Sequence, residues 1–163
     1  MNGTLVSSWP EQQLRPPYVT IGLTLVCLFL YLVYASLGPL TQQAMIDLFG
    51  MQPSVVAELL ERSIPDWWNA TALSLFTAML VHDSWLHLLG NLGYLWVFGI
   101  KVEQRLGAFG MLLLFFAGGA LANAIVALRL PHLETPIIGA SGAVSAVIGA
   151  YLGLFPARHI GLF

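Results

Sequence analysis

Hydrophobic positions in this chain come in long blocks, and four stand out: residues 18–37, 86–100, 107–128 and 137–155. With a rise of ~1.5 Å per residue, about 20 apolar residues in a helix cross the hydrocarbon layer of a bilayer. The first and third blocks meet that length and the fourth nearly does. The second is short and carries His87 and Asn91, so it needs protein around it. The pattern predicts an all-α polytopic membrane protein with four transmembrane helices in this sequence. Residues 1–17 are polar, with three prolines, and read as a short tail ahead of the first span. The connection 38–81 is too apolar for a solvated linker. Its short apolar pieces and the Trp67-Trp68 pair predict amphipathic helices lying at the membrane interface.

Composition agrees with that reading, being 58% hydrophobic and only 9% charged. The formal charge of −2 and the absence of any basic run give no footprint for nucleic acid, so no nucleic-acid partner is expected. A single cysteine, Cys27, excludes a disulfide framework within the chain and reads as a packing residue facing either lipid or another helix. If four helices alternate, Arg15, Lys101, Arg105 and Arg158 share one side, against Arg62 and Arg129 on the other. The positive-inside rule then places the N-terminus in the cytoplasm. Without an Arg- and Ser-rich leader, a bacterial plasma membrane is the expected location.

Polar side chains inside spans are costly, so each needs a partner or a purpose. Asp83 or Ser84 suits the N-cap of the second helix, and His87 and Asn91, four apart, share one face of it. The fourth block opens Gly139-Ala140-Ser141-Gly142. A serine in a first turn lies beside free backbone N–H groups and the positive end of the helix dipole, which can hold an oxyanion. Below it, Gly142, Ser145 (or Ala146), Gly149 and Gly153 form a stripe along which another backbone can approach. A zinc site is not indicated, because His82 and His87 are five apart rather than four and no glutamate follows the first. Aspartyl chemistry fails too, since no block contains an aspartate. Serine chemistry fits: Ser141 as nucleophile, with His87 and Asn91 aimed at the developing oxyanion.

Three motifs in order, His82-x4-His87-x3-Asn91, Glu103-x-Arg105-x-Gly107 and Gly139-x-Ser141-Gly142, resemble those of the rhomboid intramembrane serine proteases. The resemblance runs over roughly residues 67–161. It implies a rhomboid-like helical bundle over 18–163, with four of an expected six core helices in this sequence and 38–81 as the long first loop. By the same resemblance Ser141 is the nucleophile, and His87 and Asn91 join the Ser141 N–H in the oxyanion hole. His82 supports the site from its loop, Gly139 and Gly142 shape the turn, and Glu103 and Arg105 form a structural element on the cytoplasmic side. No metal or other cofactor is implied, and the partners are transmembrane protein substrates and the bilayer itself.

Two departures accompany the resemblance. The family's catalytic base is a histidine on the sixth helix, so the sequence reads as a rhomboid cut short of its last two helices. His159 does not substitute, because it follows Ser141 by 18 residues, about 27 Å along a helix. The family's Trp-Arg pair in the first loop is replaced by Trp67-Trp68-Asn69. The leading expectation is an intramembrane serine endopeptidase cutting transmembrane segments near the outer face. The alternative is an inactive rhomboid-like protein that holds client helices.

Overall fold

The computed structural model describes residues 16–61 and 70–156, and over these it is helical, with a single isolated β-bridge. Helix α1 spans Tyr18–Ser36, α2 Pro39–Phe49, α3 Pro53–Glu61 and α4 Ala70–Thr77, the last continued by a 3₁₀ turn, Ala78–Leu80. Helix α5 covers Trp85–Tyr94, passes through a π turn at Leu95–Gly99 into α6, Ile100–Arg129, and α7 covers Ser141–Leu154. Arg15, Arg62, Asp66, the Trp67-Trp68-Asn69 segment, Arg158 and His159 lie outside the described residues.

Helix α1 buries Thr20, Leu23, Cys27, Tyr31 and Tyr34, spaced three or four apart, while Leu25, Phe29 and Leu32 stay exposed. One stripe therefore meets protein and the rest is left for an apolar surround. Three contacts tie α1 to the rod that starts at Trp85. The Tyr31 and Trp85 rings lie 4.6 Å apart, Trp96 Nε1 donates to Thr24 Oγ1 at 2.8 Å, and Glu103 meets Thr20. Their order makes α1 and this rod antiparallel. Cys27, buried in that interface, is the packing residue expected.

Helix α1 has Pro17 before it and no side-chain cap of its own. Its free N–H groups are met from 83 residues away, by Glu103. One carboxylate oxygen accepts from the Val19 N–H and the other from the Thr20 N–H and hydroxyl, all at 2.8 Å. A buried anion at a helix N-terminus satisfies both the orphan donors and the dipole. Glu103→Ala is expected to cost about 3 kcal/mol of stability, and Glu103→Gln about half of that, read from unfolding in detergent. Among the described residues no ion pair joins Glu103 to Arg105. The carboxylate of the expected Glu103–Arg105 structural element is committed to α1, and Arg105 is exposed.

Two helices are long and apolar enough to cross a bilayer, Tyr18–Ser36 and the continuous Trp85–Arg129. Gly107, at φ 77°, ψ 172°, breaks the second into arms 85–106 and 108–129, each about 33 Å long. Only glycine adopts that conformation without strain. Met111 lies against Gly99, so the second arm returns beside the first.

The fourth apolar block behaves differently from its expectation. Its helix begins at Ser141, not Ile137, and at 14 residues it is one of the shorter apolar helices. Ile137 is taken by the β-bridge, its N–H and C=O pairing with Met51 at 2.8 and 2.9 Å, and Gly139 N–H donates to Ala78 O at 2.8 Å. The small-residue stripe is also only half used. A β-carbon at Gly142 would meet Ala122 Cβ at 2.8 Å, and one at Gly119 would meet Ala143 Cβ at 2.9 Å, so the upper half of α7 and α6 touch backbone to backbone. Gly149 and Gly153 face open space. Both are exposed, so the lower half of the stripe lies on the outer side of α7. Gly90 and Gly93 of α5 are open as well.

Candidate active site

Ser84 caps α5, accepting from the His87 N–H at 3.3 Å. That fixes the first turn so that His87 and Asn91 point from one face of α5 toward the start of α7. A cavity of ≈ 380 Å³ lies between the two helices, lined by His87, Asn91, Tyr94, Ser141, Val144 and Ser145 among others. The structure thus brings Ser141, His87 and Asn91 into one space. Ser141 is exposed to the cavity at the first position of α7, where the first-turn N–H groups have no helical acceptor. Measured along α6, Ala122, which faces Gly142, is about 10 Å below that helix's end at Arg129.

Gly139 makes the approach to Ser141 possible. Its φ is +108°, a region L side chains avoid, and a β-carbon there would collide with Nε2 and Cε1 of His87. The imidazole therefore lies directly on the backbone two residues before the serine. Gly142 contributes the α6 contact described above.

His82 is fully buried, and its Nε2 accepts the Ala140 N–H at 3.4 Å. The ring supports the turn into α7 without entering the cavity. With Nε2 accepting, the proton sits on Nδ1, which has no hydrogen-bond partner; the Leu80 carbonyl is near but short of good geometry. Burial pushes the His82 pKa down to about 4 and the neighbouring His87 lowers it further, while the Leu80 carbonyl and Asp83 partly oppose them. The unfolded chain binds that proton near 6.5. Between those values the unfolded state holds more protons, so stability falls as pH drops from about 6.5 to about 4. Melting curves should shift down by several degrees across that window, and His82→Gln should flatten the slope.

Asn91 is mostly buried and its Nδ2 donates to the His87 carbonyl at 3.0 Å, on its own helix. One amide hydrogen is thus spent on α5 and the second is left for the cavity. One contact was not anticipated from the sequence as part of the site: His87 Nδ1 and Asp83 Oδ1 are 3.0 Å apart. The i, i+4 spacing was visible, but Asp83 read only as a helix cap. Among the described residues no group of three metal-ligating side chains occurs.

Comparison with known proteins identifies the family. A Rhomboid domain model matches residues 66–163, more than half of the sequence, and the chain belongs to the rhomboid family. It is 38% identical over 85 residues to rhomboid-like protein 11, chloroplastic, of Arabidopsis thaliana, covering 52% of this chain and 28% of that protein. To rhomboid protein 1, mitochondrial, of Saccharomyces cerevisiae it is 33% identical over 96 residues, 56% of this chain and 28% of the relative. To rhomboid protease GluP of Bacillus subtilis it is 26% identical over 138 residues, 85% of this chain and 24% of the relative. The chain thus spans less than a third of the length of each of these relatives.

Proposed function

We propose that the protein is an intramembrane serine endopeptidase with Ser141 as its nucleophile. The observation that carries this reading is the placement of Ser141 at a helix N-terminus, open to a cavity it shares with His87 and Asn91. A substrate's transmembrane segment unwinds near the outer face and presents a peptide carbonyl to Ser141 Oγ. The family's histidine base, in the intact protein, takes the Oγ proton as the C–O bond forms and returns it to the leaving amine as the C–N bond breaks. First-turn N–H groups of α7, with His87 and Asn91, hold the oxyanion, and water then hydrolyses the acyl-enzyme. Contact between Glu103 and the start of α1 puts Lys101, Arg105 and the α1 N-terminus at one end of the bundle. The positive-inside rule makes that end cytoplasmic and the Ser141 cavity outward-facing.

A serine-reactive fluorophosphonate applied to the intact protein in liposomes tests the assignment. An adduct on Ser141 by mass spectrometry, with loss of cleavage of a single-span reporter, is the expected result. Reporter cleavage that persists after Ser141 is fully labelled would overturn it.

A further inference from the structure

The His87 ring is held from three sides. Asp83 Oδ1 meets Nδ1 at 3.0 Å, Gly139 Cα lies under Nε2 and Cε1, and the His82 ring centroid is 5.1 Å away at a steep angle. Asp83 also accepts from the Ser84 hydroxyl at 3.2 Å. Burial tends to raise the Asp83 pKa, but the hydrogen bond and charge of His87, with Ser84, hold it below the usual value. The group is therefore a carboxylate at neutral pH and can only accept a hydrogen bond. A carboxylate against Nδ1 requires the proton on that nitrogen. Among the described residues Nε2 has no hydrogen-bond partner and turns toward the serine end of α7.

Building on the nucleophile assignment above, we propose that Asp83 is a positioning residue for His87, accepting its Nδ1 proton and leaving Nε2 as the nitrogen presented to the Ser141 cavity. This sets a condition on what His87 can do. The neutral ring offers only a lone pair at Nε2. Donation from Nε2 to an oxyanion requires a proton on that nitrogen as well. Asp83 thus fixes which nitrogen of His87 is presented to the serine. Half exposed at the head of α5, it can be replaced without emptying the core.

Nitrogen-15 spectra of the histidines, recorded above pH 8 on the intact protein carrying Ser141→Ala and assigned with His87→Gln, read the tautomer without relying on activity. The expected spectrum has His87 protonated on Nδ1, moving in Asp83→Ala toward the Nε2-protonated form that free imidazole favours and returning in Asp83→Glu. With Ser141 intact, Asp83→Ala should lower kcat by about tenfold or more with KM within about twofold, and Asp83→Glu should recover most of it. A carboxylate that served only the first turn of α5 would change the melting temperature and leave the tautomer alone. An unchanged tautomer in Asp83→Ala, or an unchanged kcat, overturns the proposal. Cleavage surviving in Ser141→Ala overturns the nucleophile assignment instead, and the two failures are read from different spectra and variants.

Discussion

Ser141→Ala is expected to lower cleavage of a transmembrane reporter by at least about 10³-fold while leaving the melting temperature within about 1 °C. The size of the first effect follows from removing the atom that attacks, for which the cavity offers no replacement except the exposed Ser145. Ser145 lies one helical turn further along α7, away from the first-turn N–H groups that hold an oxyanion beside Ser141. The second expectation follows from the structure. Ser141 is exposed, caps nothing and makes no hydrogen bond to the described residues, so its hydroxyl contributes nothing to the fold. Initial rates on a single-span reporter, set beside thermal melts of both proteins, measure the two effects. A large fall in both quantities would mean that Ser141 is structural.

Gly139→Ala should do nearly as much damage by a different route. The new methyl group faces two penalties, a left-handed backbone worth about 1–2 kcal/mol and overlap with the His87 ring. Something must move. The backbone here is held by the Gly139 N–H bond to Ala78 O and by the Ile137 pairing with Met51, so the ring is what yields. Displacing it by about 1 Å from the nucleophile is the kind of change that costs about 10²-fold in rate. The expected outcome is a kcat lowered by about that factor with a modest loss of stability. Gly149→Ala provides the contrast. That glycine is inside α7 and faces open space, so alanine there should be neutral or stabilising by up to about 1 kcal/mol.

The parts of the molecule written in local pattern are legible in the amino-acid sequence alone. The apolar blocks at 86–100 and 107–128 anticipate the two arms on either side of Gly107. Asp83 and Ser84 ahead of an apolar run mark a cap there, and the structure uses Ser84. The spacing of His87 and Asn91 places them on one face, and the serine among glycines marks the start of α7. Features that depend on distant neighbours are not readable. Ile137 belongs to an apolar run, yet a bridge to Met51, 86 residues earlier, keeps it out of the helix. Gly149 and Gly153 continue a small-residue stripe, but that half of the stripe lies on the outer side of α7. Asn91 has two amide hydrogens, and nothing in the sequence says that one of them goes to the His87 carbonyl. The resemblance groups Glu103 with Arg105, but the partners of the Glu103 carboxylate are two residues of α1.

That last contact carries a consequence in time. Glu103 is made 83 residues after Thr20, and at roughly 5–20 residues per second the ribosome takes about 4–17 s to reach it. Throughout that interval α1 has been synthesised without the carboxylate that closes its first turn. Its leading N–H groups must therefore find acceptors in water or lipid headgroups until the part of the chain that carries Glu103 arrives. Docking of α1 therefore comes late relative to its own synthesis.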